Sequence, residues 1–116
     1  MAYGPFNLEG KVALITGGNR GIGYGFAEAL YEAGAAVAIW GSNEKNNNDA
    51  IAKLGSGAKA WTVNVADEKQ VAAAMADVVS HFGRIDSVFA NAGIGGGAKS
   101  FAEFPTDTYR RVLSVN

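Results

Sequence analysis

The segment Thr16-Gly17-Gly18-Asn19-Arg20-Gly21-Ile22-Gly23 has the residue types and spacing to hold an anion. It follows the apolar run 11–15 and opens a helix-like stretch. Glycine lets a backbone turn tightly and come close to a ligand. The free amides and positive dipole end of the helix behind it then face negative charge, so the chemistry indicated is phosphate binding. Its candidate contacts are Thr16, Gly17, Asn19, Arg20, Gly21, Ile22 and Gly23. The spacing Gly17-x-x-x-Gly21-x-Gly23 is neither the common G-x-G-x-x-G fingerprint nor a loop ending in Gly-Lys-Ser/Thr. Taken alone, such a turn is also compatible with tight packing and no ligand. A further glycine-containing turn, Asn91-Ala92-Gly93, follows a later apolar run, and Gly95-Gly96-Gly97 extends it as a loop that could border a cleft or simply connect elements.

These turns need strands and helices to position them. Residues 11–16 read as a strand, and 21–33 as a helix with Ile22, Phe26, Leu30 and Ala33 on one face. Residues 36–40 are apolar throughout, as in a strand buried on both faces. Residues 42–48 read as a polar loop, 49–54 as a short helix ended by Gly55-Ser56-Gly57, and 58–63 as a third strand. Residues 67–82 form the clearest helix, with Val71, Met75, Val78 and Phe82 at helical spacing and Gly83 behind them. A fourth strand covers 85–90. Thr106 reads as the N-cap of a last helix carrying Tyr109, Val112 and Leu113. Repeated β-α units predict an α/β fold, a parallel sheet with helices on both faces. Right-handed crossovers give strand order 3-2-1-4, with its switch point between the first and fourth strands, where ligands bind beyond the strand ends. Both glycine turns fall there.

Composition narrows the partners. The chain has 116 residues, 48% hydrophobic and 18% charged, which predicts at most one globular domain. Its net charge of −1 gives no electrostatic reason to expect nucleic acid or an anionic membrane. With no cysteine and one histidine, His81, no disulfide, thiolate or histidine-cluster metal site is expected. No signal-like head or membrane-length apolar run is present, and a cytoplasmic location is expected.

The Thr-Gly-x-x-x-Gly-Ile-Gly segment at 16–23, Asn91-Ala92-Gly93 and Ser114-Val115-Asn116, in this order and separation, resemble the short-chain dehydrogenase/reductase family of the classical type. Phe82-Gly83-Arg84-Ile85-Asp86 resembles it too, with Ala90 in place of a usual asparagine. The resemblance implies a Rossmann-type fold, a nicotinamide dinucleotide and hydride transfer between nicotinamide and a carbonyl or alcohol. It implies that Gly17, Gly21 and Gly23 meet the pyrophosphate and that Asn91, Ala92 and Gly93 tie the central strands and pass the ribose. Asn116 matches the asparagine that helps hold a catalytic water, or is an ordinary polar residue near a helix end. Asn64, beside Val65, stands where the family usually has an aspartate near adenine; it is also a plausible strand-end turn residue. NAD enzymes commonly place an acid at the end of the second strand. Here Trp40-Gly41-Ser42-Asn43 has none before Glu44, while Ser42, Asn43 and Arg20 can donate to a phosphate, so NADP is expected over NAD.

The family's chemistry also uses a serine and a Tyr-x-x-x-Lys pair. Tyr3, Tyr24, Tyr31 and Tyr109 are followed four residues on by Asn7, Glu28, Ala35 and Leu113, so none fits. The expectation is the N-terminal half of an NAD(P)-binding Rossmann domain over 1–116, ending after the helix behind the fourth strand and inactive alone. A non-catalytic nucleotide-binding module is the alternative. A full-length form is expected to act on a small alcohol or ketone and to form a homo-oligomer. The 116-residue chain is expected to be marginally stable or self-associating, because its fourth strand forms an apolar edge.

Overall fold

The computed structural model describes residues 4–94, 103 and 105–116. Its elements are β1 (Val12–Thr16), α1 (Gly21–Glu32), β2 (Ala36–Gly41), α2 (Glu44–Leu54), β3 (Ala58–Thr62), α3 (Glu68–Phe82), β4 (Ser87–Ala90) and α4 (Thr106–Val115). The strands form one parallel sheet in the order β3-β2-β1-β4. Thr16 lies between Trp40 and Ala90, so the carboxyl ends of the central strands are level. The chain steps outward from β1 to β3, then returns through α3 to the other side of β1. That reversal makes the crevice between β1 and β4, as the sequence predicts. The glycine loop expected at 95–97 lies outside the described residues.

Strand periodicity divides the core. Ala13, Ile15, Val37 and Ile39 meet Ala27 of α1 and Ala50 of α2 on one face. Leu14, Ala38 and Trp40 meet Ala74 and Val78 of α3 on the other. Alternate residues of one strand point to opposite faces, so a central strand with helices on both sides must be apolar at every position.

The structure corrects three local expectations. First, α2 begins at Glu44, not at 49, with Asn43 as its N-cap accepting from Asn46 N–H at 2.9 Å. Second, α1 does not bury the face defined by Ile22 and Phe26. Gly23 and Ala27 are buried, whereas Ile22 and Phe26 are 74% and 39% exposed. Small residues bring this helix axis close to the sheet; Phe26 stays at the margin, its ring 5.3 Å from that of Phe89. Third, Pro105 holds the N-cap position of α4 without a side-chain hydrogen bond, and Thr106 is the first helical residue.

Asp86 closes the amino ends of the central strands. Its Oδ2 accepts from Val12 N–H at 2.8 Å, and Oδ1 accepts from Arg84 Nε at 3.1 Å. The Arg84 hydrogen bond, and next the Val12 amide, hold its carboxyl below the ordinary carboxylate range. A folded-state pKa below the unfolded one stabilises the fold above the unfolded pKa, and that contribution is lost as pH falls through the folded pKa. Asp86→Ala is therefore expected to lower stability at neutral pH, with the gap to wild type narrowing in acid. Urea melts of both proteins at pH 7 and pH 3 check this; a gap of equal size at both would refute it.

Candidate functional site: a cleft at the switch point

A cleft of about 610 Å³ opens beyond the carboxyl ends of the strands. Its floor is the turn from β1 to α1, with Gly17 and residues 19–23 on its surface. Gly17 and Gly21 have φ of +67° and +58°, the left-handed region where a side chain is strained. Arg20 is the N-cap of α1 and makes no side-chain cap. By contrast, Asn43 caps α2, and Asp67 caps α3 by accepting from Lys69 and Gln70 N–H. The long helix that faces the cleft thus leaves its first-turn amides without an internal acceptor, which is the donor set an anion needs.

The remaining walls come from the other strand ends. Ser42 and Asn43 follow β2, Asn64 and Val65 follow β3, and 91–93 follow β4. Thr16 sits behind the floor: its Oγ1 accepts from the Asn91 and Ala92 amides, each at 3.0 Å. Asn91 Nδ2 donates to the Thr16 and Gly17 carbonyls at 3.2 and 3.3 Å, joining β4 to β1 and bracing the glycine turn. Gly23 is packed so closely that a Cβ there would collide with the Gly17 carbonyl oxygen and Asn91 Nδ2.

Asn116 stands at the cleft margin. Its Oδ1 accepts from Ile94 N–H at 2.9 Å and its Nδ2 donates to the Ile94 carbonyl at 3.3 Å. The end of α4 thereby grips the segment after β4. Asn64 is partly committed: Oδ1 accepts from Ala66 N–H, and its own N–H donates to Gln70 Oε1. One lone pair of Oδ1 remains for a ligand. Asn43 Oδ1 is likewise taken by the cap, leaving its amide hydrogens as donors. Tyr24, beside Arg20 in an adjoining hollow, has its phenol pKa raised by desolvation and then by Glu28, the reverse of what a general base requires.

Sequence reading missed Asn47, Gln70 and Trp40. Trp40 lines the cleft, and its buried Nε1–H has no partner among the described residues. Asn47 is buried at 2% exposure. A signal for it existed, because Asn47, Ala50, Ile51 and Leu54 share one helical face once α2 is extended back to Glu44.

The family described as short chain dehydrogenase matches residues 11–116. The chain belongs to the short chain dehydrogenase family. A short chain dehydrogenase of Emericella nidulans is 36% identical over 98% of this chain and 44% of its own length. A probable NADP-dependent mannitol dehydrogenase of Yarrowia lipolytica is 40% identical over 88% of this chain and 38% of its own length. A crystal structure of 3-ketoacyl-(acyl-carrier-protein) reductase from Brucella melitensis complexed with NADH has a TM-score of 0.91 and 33% identity, covering 94% of this chain and 45% of that one. The chain thus spans less than half the length of these short chain dehydrogenase relatives. Its described helices include none long and apolar enough to cross a membrane.

Proposed function

We propose that these residues are the nucleotide-holding portion of an NAD(P)-dependent oxidoreductase, with NADP preferred to NAD. The observation that carries the reading is the uncapped N-terminus of α1 above a left-handed glycine turn, on the floor of a cleft at the switch point. The NADH bound to the Brucella reductase and the NADP dependence in the Yarrowia relative's name are in keeping with it.

In this reading the amides of the α1 first turn and Gly17, Gly21 and Gly23 hold the pyrophosphate. Asn64 and Val65 flank the adenine. Asn91, Ala92 and Gly93 border the ribose, and Asn91 keeps the glycine turn from opening. Arg20, Ser42 and Asn43 donate to the 2′-phosphate, where a carboxylate would repel it. Asn116 fixes Ile94 and with it the wall next to the reacting centre, in the place of the asparagine that holds a water in the proton relay. The nicotinamide, when bound, supplies or accepts the hydride exchanged with a carbonyl or alcohol. The serine and the Tyr-x-x-x-Lys pair of that chemistry are not among these 116 residues, so the chain alone is expected to bind without turnover. A cysteine-free chain is in keeping with action in the cytoplasm, and its exposed apolar residues with homo-oligomer formation.

Calorimetric titration with NADPH and NADH tests the reading. NADPH is expected to bind about tenfold tighter or more, the worth of a charge-assisted contact to the 2′-phosphate. Tighter binding of NADH would overturn the cofactor preference, and binding of neither would overturn the function.

A further inference from the structure

Gly41 ends β2, the position from which an acidic side chain reaches the ribose in NAD-binding sheets. Its φ lies outside the left-handed region, so its backbone would accept any residue. What excludes a side chain is space: a Cβ at Gly41 would collide with both Asn19 Nδ2 and Asn47 Oδ1. These atoms are hydrogen-bonded to each other at 2.9 Å. The pair fills the volume that the acid would need.

The orientation of the pair follows from donor and acceptor logic. Asn47 Nδ2 donates to the carbonyls of Gly41 at 3.0 Å and Trp61 at 3.3 Å. Those carbonyls only accept, so the NH₂ of Asn47 must face them and its Oδ1 must face Asn19. Asn19 is then obliged to donate. One buried side chain on α2 thereby joins the ends of β2 and β3 to the glycine turn, next to Arg20 on one side and Ser42 and Asn43 on the other.

Building on the nucleotide-binding reading above, we propose that Asn47 is a positioning residue that sets the choice between NADP and NAD. Acting through Asn19, it occupies the acid's place and holds Arg20, Ser42 and Asn43 around the 2′-phosphate. Asn47 itself touches no part of the nucleotide. NADH lacks the 2′-phosphate, so losing this bracing weakens NADPH more than NADH.

The test is the ratio of NADPH to NADH affinity in the full chain, for wild type, N19A, G41A, N47A and N19A/N47A, with thermal unfolding measured alongside. N19A leaves the buried bonds of Asn47 to Gly41 and Trp61 available, and so reports even if N47A or G41A does not fold. N19A, G41A and N47A are each expected to cut the ratio about five- to tenfold, the scale of one charged contact misplaced. The double variant should fall no further than either single one, because both act through one hydrogen bond. A purely structural Asn47 would lower the melting temperature and weaken both nucleotides alike; an unchanged ratio overturns the proposal. Wild type that binds neither nucleotide, or prefers NADH, fails the underlying reading before any variant is compared.

Discussion

Gly23→Ala is expected to abolish nucleotide binding and destabilise the fold, whereas Gly25→Ala, in the same helix, is expected to stabilise it. A Cβ at Gly23 runs into the Gly17 carbonyl oxygen and Asn91 Nδ2, the atoms that hold the glycine turn against β4. Neither can give way freely: one is backbone, and the other is tied to the Thr16 and Gly17 carbonyls. Overpacking a tight site costs about 1–3 kcal/mol, and the upper end applies where the obstacle is backbone. The helix must lift off the turn, which carries its first-turn amides away from the anion. At Gly25 a Cβ meets nothing within 4 Å, and the residue is in mid-helix. Alanine there gains about 0.5–1 kcal/mol by lowering the entropy of the unfolded chain. Denaturant unfolding of both variants, with a nucleotide titration of each, reads out opposite signs. A Gly23→Ala protein as stable as wild type would refute the packing argument.

The polypeptide of residues 1–116 is expected to self-associate in solution, and Val88→Lys to shift it strongly towards monomer. β4 is an edge of the sheet, with its far side unpaired among the described residues. Val88 is 52% exposed there, paired with Leu14 on the α3 side, and Phe26 and Ile22 of α1 are exposed as well. A flat apolar edge offers free amides and carbonyls together with surface that gains by leaving water, which makes it a template for another strand. Lysine at Val88 places a charge on that edge, the device natural sheets use to block such pairing. Light scattering across a dilution series distinguishes the outcomes. A wild type that is monomeric at all concentrations, or an associating Val88→Lys variant, would show that β4 is not the contact.

How far these features were legible in the sequence differs by kind of residue. The apolar runs ending at Thr16 and Trp40 identified the central strands, because burial on both faces leaves few polar positions to confuse the pattern. The glycines at 17, 21 and 23 marked the turn, because only that residue type tolerates both left-handed backbone and close helix contact. Alternating β and α units limited the topology to the order observed, since crossovers have one hand.

Tertiary structure decided what composition could not rank. Ile22 and Phe26 are more hydrophobic than Gly23 and Ala27, yet the small pair faces the sheet. The gain comes from the closeness of the backbones rather than from side-chain area. Three consecutive asparagines, 46–48, read as a loop by polarity, yet Asn47 is buried, because Gly41, Trp61 and Asn19 come from three separate elements to satisfy it. Likewise Asn64 spends its amide oxygen on Ala66, and Asp86 finds the Val12 amide 74 residues away. Hydrophobic pattern records which side chains leave water at a gain. It carries no record of which polar side chains will meet partners brought from distant elements, and those meetings shape the cleft.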